Sequence, residues 1–192
     1  MIAIVKYNAG NIQSVKNAVE RLGYSCIVTD DETMLKSAEK VIFPGVGEAS
    51  SAMKYLKERK LDEVIKNLTQ PVLGICLGQQ LMCNFSAESD TKCLGIFDVN
   101  VIKFEAKEKV PHMGWNNLTN INSELFNGIA NHVDFYFVHS FYAEIGENTT
   151  SICDYINPFS ASMQKDNFYA TQFHPEKSSK IGEQLLLNFL KL

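Results

Sequence analysis

No stretch of the chain reads as a membrane span. The apolar opening Met1-Ile-Ala-Ile-Val is cut off by Lys6, too short for a span or a signal peptide, and reads as a first strand. No C-x-x-C pair occurs. The five cysteines (Cys26, Cys76, Cys83, Cys93 and Cys153) are odd in number and scattered, so neither a zinc site nor a disulfide framework is expected, and a reduced, cytoplasmic protein fits best. There is no basic cluster, and the net charge of −4 argues against nucleic-acid binding as the main task. No repeat, low-complexity tract or linker divides the 192 residues, so one domain with a sizeable core is expected across 1–192.

Against that background one stretch stands out. Pro71-Val-Leu-Gly-Ile-Cys-Leu-Gly-Gln-Gln80 runs from an apolar strand pattern (Val72–Ile75) through Gly74-Ile-Cys-Leu-Gly78 into a helical pattern over Gln79–Phe85. A Gly-x-nucleophile-x-Gly turn between strand and helix is what a nucleophile elbow requires, because the turn leaves no room for side chains at its flanks. Cys76 would stand at a helix N-terminus, where free N–H groups favour the thiolate. A buried thiol before a glycine turn is the plainer alternative.

The rest of the first half reads as strand Ile2–Tyr7, a turn at Asn8–Asn11, and a helix with Val15, Val19 and Leu22 on one face, stopped by Gly23. Strands Tyr24–Thr29 and Lys40–Phe43 follow, separated by a short acidic segment, then helices at Glu48–Arg59 and Leu61–Leu68. This rhythm predicts an α/β fold with a mostly parallel central sheet flanked by helices. Function in such sheets gathers beyond the carboxyl ends of the strands, where Asn8–Asn11, Pro44–Gly47 and Cys76 all fall. In the second half, Phe97–Phe104, Asp134–Val138, Ser151–Ile156, Ser160–Gln164 and Phe168–Gln172 read as short strands, expected as antiparallel additions to the sheet. Ser178–Leu190 reads as a closing helix.

A cysteine nucleophile needs a base and the base an orienting partner. His174, in Gln172-Phe-His-Pro-Glu176, has Glu176 two residues on; His112 and His139 also sit near strand ends, and the residues alone leave the choice open. Pro44-Gly-Val-Gly47 offers backbone N–H groups that could stabilise an oxyanion together with the Leu77 amide. Gln80, one helical turn past Cys76, faces the same cleft and suits a polar substrate. Tyr136-Phe-Val-His-Ser-Phe141 ends a strand with polar groups and could bind an amino acid through its backbone, or be an edge strand. The only tryptophan, Trp115, sits in Pro111-His-Met-Gly-Trp-Asn116, read as a turn and favoured as an interface rather than core position. Tyr7, Met113 and Tyr136 are further candidates. Cys26, Cys83, Cys93 and Cys153 read as small apolar residues.

Taken together, Tyr7-Asn-Ala-Gly-Asn11, Pro44-Gly-Val-Gly47, Gly74-Ile-Cys-Leu-Gly-Gln-Gln80, His112-Met-Gly-Trp-Asn116, Tyr136-Phe-Val-His-Ser140 and His174-Pro-Glu-Lys-Ser178 resemble the triad-type (class I) glutamine amidotransferases, nearly end to end. The His112 and His174 stretches resemble the glutaminase subunits of imidazole glycerol phosphate synthases most. The resemblance implies a flavodoxin-like fold and a catalytic triad of Cys76, His174 and Glu176 acting on L-glutamine without a cofactor or metal. It implies an oxyanion hole from Val46 and Leu77 and a glutamine site at Gly45, Gly47, Gln80, His139, Ser140 and Phe141. It further implies a heterodimer with a (β/α)8-barrel cyclase subunit docked at Asn11, Trp115, Tyr136 and Lys177, to which ammonia passes directly. In that family the peptide before the valine can turn its carbonyl into the hole and keep the enzyme idle. Two departures touch the details: Phe141 replaces a frequent tyrosine, and Lys6-Tyr-Asn replaces an acidic residue with Tyr-Gly. Paralogues that feed ammonia to amidotransfer on bacterial surface sugars are an alternative of the same class. A cysteine peptidase or hydrolase on a related sheet is an alternative of another.

Overall fold

Ile2–Val5 is buried at every position, as a strand covered on both faces must be. In the computed structural model, which describes residues 1–192, it is β1. It is followed by α1 (Ile12–Arg21), β2 (Cys26–Thr29), α2 (Glu32–Ser37), β3 (Lys40–Gly45), α3 (Ala49–Glu58), α4 (Leu61–Lys66), β4 (Val72–Cys76) and α5 (Leu77–Met82). The second half adds β5 (Phe85–Ser86), β6 (Thr91–Lys92), β7 (Asn100–Lys103), β8 (His112–Asn117), β9 (Asp134–His139), β10 (Phe141–Ala143), β11 (Thr149–Asp154), β12 (Pro158–Lys165), β13 (Phe168–Thr171) and α6 (Ser179–Lys191).

The main sheet has the order β11-β12-β13-β4-β3-β1-β2. Its five strands from β13 to β2 are parallel, and β12 and β11 extend one edge antiparallel. Alternation along β1 divides the core. Ala3 and Val5 join Leu56, Leu61 and Ile65 on one face, while Ile2 and Ile4 join Val15, Val19, Leu185 and Phe189 on the other. Helices therefore cover both faces, and the parallel strands deliver the ends of β1, β3, β4 and β13 to a common edge, where β1 and β3 form the switch point of the sheet. No helix is long and apolar enough to cross a membrane.

Four expectations from the sequence are corrected. The acidic segment after β2 is a helix, α2, started by Asp31, whose carboxylate accepts from the Met34 amide at 2.8 Å. Not every late strand joins the sheet antiparallel: β13 runs parallel to β4, β10-β7-β5-β6 form a separate four-stranded sheet, and β8-β9 form a two-stranded ribbon. The Trp115 stretch is therefore a strand, not a turn. Its alternation is real but inverted in polarity: His112 and Asn116 point inward while Met113 and Trp115 point out. The helix predicted over Gln79–Phe85 starts earlier, at Leu77, and ends at Met82.

Candidate active site

β4 passes into α5 with no intervening loop, so Cys76 takes the whole change of direction. It sits at φ 53°, ψ −103°, a region that side-chain-bearing residues rarely adopt. Its neighbours explain the glycines. A Cβ on Gly78 would lie 1.8 Å from the Phe43 carbonyl oxygen, and one on Gly74 would press on Met82 and the start of α5 at 2.9 to 3.0 Å. The sulfur therefore stands beyond the end of β4, almost buried. Gln172 Nε2 donates to it at 3.6 Å.

β13 lies beside β4, and the chain leaving it brings in His174. The His174 amide donates to the Tyr136 carbonyl at 2.9 Å, and its Nδ1 is 2.7 Å from Glu176 Oε1, both side chains wholly buried. Nε2, the nitrogen on the opposite side of the ring, has no hydrogen-bond partner at rest. Burial alone would hold this imidazole neutral. Cys76 outweighs that as a nearby negative charge, with the Glu176 carboxylate adding to it, and the pKa rises to about 10. His174 is thereby held as an imidazolium beside the sulfur. Asn11 Nδ2 donates to the same Glu176 oxygen at 2.6 Å.

The other candidate histidines are engaged elsewhere. His112 Nδ1 and His139 Nε2 lie 3.0 Å apart, and His139 Nδ1 bonds the Phe141 carbonyl at 2.8 Å. Burial pulls their pKa values down to about 4 and about 3, for His139 with smaller effects from neighbouring groups. Of the three histidines, His174 is the one whose pKa the Cys76 charge raises.

A cavity of about 200 Å3 opens over Cys76. Of the residues expected there, Val46, Gly47, Leu77, Gln80, His139, Ser140 and Phe141 line it, and Gly45 does not. Gly45 is instead packed under Tyr7, whose hydroxyl would be 2.0 Å from an added Cβ and donates to the Pro44 carbonyl at 2.6 Å. The Val46 amide is bonded to Gly10. Its N–H donates to the Gly10 carbonyl at 3.3 Å and its carbonyl accepts from Gly10 at 2.9 Å, so this amide is already engaged in a bridge. Leu77 heads α5, where first-turn N–H groups have no partner within the helix.

Of the docking residues, Trp115 is 53% exposed and pairs across the ribbon with half-buried Tyr136, next to exposed Met113; Lys177 is exposed as well. Asn11 departs from the expectation in part, since its side chain reaches inward to Glu176. Two residues were missed. Gln172 shares a face with His174 at a spacing of two, a signal available in the sequence. Glu88 reaches the cavity from the segment between β5 and β6, which carries no local pattern.

The sequence model of the family described as glutamine amidotransferase class-I matches residues 3–192. The imidazole glycerol phosphate synthase subunit HisH of Bacteroides thetaiotaomicron is 58% identical over 194 residues, covering 100% of this chain and 99% of that protein. The same subunit of Vibrio cholerae is 45% identical over 199 residues, covering 100% and 98%. Among solved structures, a putative GMP synthase protein of Thermoplasma acidophilum superposes with a TM-score of 0.76 at 18% identity, covering 100% of this chain and 92% of that one. PurLQS of Thermotoga maritima gives 0.70 at 16%, covering 99% and 97%. At such identities the structures share the fold alone.

Proposed function

The chain belongs to the class-I glutamine amidotransferases, and from that premise we propose that it is the glutaminase subunit of an imidazole glycerol phosphate synthase in histidine biosynthesis. The observation that carries the chemistry is Cys76 on its strained turn beside His174, with Glu176 behind the ring and a small polar cavity in front of the sulfur. The synthase assignment leans on the full-length likeness to HisH subunits.

In this reading glutamine enters with its side-chain amide over Cys76. Gln80 and the Ser140–Phe141 backbone hold its polar groups, and the Glu88 carboxylate takes its α-ammonium. The thiolate attacks the amide carbon, a C–S bond forms, and the carbonyl electrons move onto oxygen. His174 Nε2 gives its proton to the leaving nitrogen, the C–N bond breaks, and ammonia departs. Water then attacks the thioester with Nε2 taking its proton; the C–S bond breaks and glutamate leaves. The oxyanion is met by Leu77 N–H and, after the Gly45–Val46 peptide turns, by Val46 N–H. At rest Val46 is bridged to Gly10, which supports low activity until a partner shifts the strand. Binding energy from that partner, applied differently to the two strand states, would supply the switch.

Ammonia then passes to a (β/α)8-barrel cyclase subunit, which joins it to a phosphoribulosyl-formimino intermediate to give imidazole glycerol phosphate and an aminoimidazole carboxamide ribotide. The exposed Met113, Trp115 and Lys177 form the docking face. Direct transfer is needed because free ammonia is mostly ammonium at neutral pH and not nucleophilic. We further read 1–192 as one glutaminase domain working in the cytoplasm, in keeping with five cysteines that are all unpaired.

The test is to mix the chain with its barrel partner and compare glutamine with ammonia as nitrogen source. Cys76→Ala is expected to abolish glutamine-dependent synthesis, by at least roughly 10^4-fold, and to leave ammonia-dependent synthesis intact. Glutamine use that survives in this variant overturns the assignment.

A further inference from the structure

A run of hydrogen bonds leads from β8 to the wall of the glutamine cleft, and the chemistry of its members fixes its direction. The Phe141 carbonyl can only accept, so His139 Nδ1, 2.8 Å away, carries the proton. Burial keeps the ring neutral, which leaves His139 Nε2 as an acceptor. His112 Nδ1, 3.0 Å from it, must therefore donate, and His112 Nε2 is left to accept from Asn116 Nδ2 at 3.3 Å. Asn116 also donates to the Asp154 carbonyl at 3.0 Å. Every polarity agrees, and the bonds run one way, from Asn116 to Phe141. The two rings are only 4% and 6% exposed, and His112 is clamped by Tyr155, stacked at 4.1 Å.

Both ends of the run touch something that matters. The Phe141 carbonyl also accepts from Gln80 Nε2 at 2.9 Å. Gln80 in turn reaches Gln172 at 3.0 Å, and Gln172 reaches the Cys76 sulfur. At the far end Asn116 follows exposed Trp115 on β8, one residue facing in and its neighbour facing out.

We propose that His112 and His139 are positioning residues that fix the Phe141 carbonyl, and through it the Gln80 side of the glutamine cleft, from the strand that carries Trp115. The cleft's substrate rests on the glutaminase reading above; the hydrogen-bond geometry does not. The pair acts on binding rather than on the chemical step, because it ends on a carbonyl that shapes the cleft and not on the reacting sulfur. It also gives the outward face of β8 a rigid inner counterpart, so that a shift of the docking strand is felt at the cleft.

Two variants separate positioning from packing. His112→Asn places an amide nitrogen where Nδ1 lies and keeps the donor to His139. His112→Gln places its amide near the Nε2 position and leaves His139 without a donor. Both lose the ring and its stacking on Tyr155, so a merely structural role would move them alike. In complex with the barrel partner, His112→Gln is expected to raise KM for glutamine about tenfold with kcat within about threefold, and His112→Asn to restore most of the affinity. Equal effects of the two variants, or an unchanged KM in His112→Gln, overturn the proposal. Ring ¹⁵N chemical shifts of the free wild-type chain test the same deduction without turnover. Protons on Nδ1 of both rings are expected, and a proton on His139 Nε2 overturns the relay even if the chain proves to be a glutaminase. If the ¹⁵N pattern is as expected and the wild-type complex shows no glutamine turnover, the functional reading fails and the relay's geometry stands.

Discussion

The two walls of the cleft are in different states of readiness. On the nucleophile side the supporting bonds are made: Asn11 donates to Glu176, His174 Nδ1 to the same carboxylate and Gln172 to the Cys76 sulfur, with the imidazole pKa raised to about 10. On the opposite wall the amide that an oxyanion would need is tied to Gly10. On the proposed reading, the wall that makes the attacking group is in place, and the wall that stabilises what the attack produces is not. A resting amidotransferase gains from that division. On that reading, a nucleophile without its full set of oxyanion donors binds glutamine yet releases little ammonia, and a large share of the barrier stays under the control of one short strand end.

The sharpest way to break the comparison is to remove the amide in question. Val46→Pro deletes the N–H while Gly45 before it tolerates the restriction that proline imposes. The partner-stimulated glutaminase rate is expected to fall on the order of 10^2- to 10^3-fold, the usual cost of one oxyanion donor. The unstimulated rate should change far less, since the Val46 amide gives nothing to the cavity at rest. Alkylation of Cys76 by iodoacetamide should be unaffected, because the other wall is untouched. A stimulated rate equal to wild type removes Val46 from the hole.

The same division marks what was legible in the sequence. The Cys76 elbow could be read because the constraint is steric and local: Gly74 and Gly78 are required by contacts with the next turn and with Phe43. The His174–Glu176 pair could be read because two residues suffice to bring both groups to one ring. The parallel core followed from buried runs and helical periods. The state of Val46 could not be read, because it depends on Gly10, thirty-six positions earlier in the chain, through backbone atoms that carry no residue signature. The β8 strand was hidden because its inward residues are His112 and Asn116, whose burial is made tolerable by partners on other elements. Glu88 gave no signal at all: only the fold of the β10-β7-β5-β6 sheet brings it to the cavity.

A smaller effect is expected on the completed wall. Glu176→Gln keeps the shape and removes the charge behind His174, so the glutaminase rate should fall roughly tenfold or more, as when an orienting partner is lost. The pH behaviour fixes the sign. The folded-state pKa of His174 lies above its ordinary 6.5, so its contribution to stability is complete below 6.5 and fades as pH rises toward about 10. In Glu176→Gln the folded pKa should drop, because one of the groups that raise it loses its charge, and that window should narrow from the alkaline end. Denaturant unfolding across this range, with the ring followed by NMR, reads both effects. A titration unmoved by the substitution would mean that Cys76 alone sets the imidazolium.

The smallest change falls between the walls. Tyr7 donates to the Pro44 carbonyl at 2.6 Å and lies so close to Gly45 that no side chain fits there. Burial, with the neighbouring Cys76 charge adding to it, keeps its pKa well above the usual tyrosine value, so it remains a hydroxyl donor. It therefore clamps the peptide just before the one proposed to turn, and confines any rearrangement to Gly45 and Val46. Tyr7→Phe keeps the ring against Phe43, 5.2 Å between centroids, and removes only the clamp. Losing one buried hydrogen bond costs about 1 kcal/mol of stability, visible as a lower denaturation midpoint. The same freedom should let Val46 leave Gly10 more often, raising the unstimulated glutaminase rate a few-fold and lowering the ratio of stimulated to unstimulated activity. If the variant folds and its unstimulated rate stays level or falls, the incomplete wall is not held back by its strand end, and the contrast between the two walls must be sought in the partner instead.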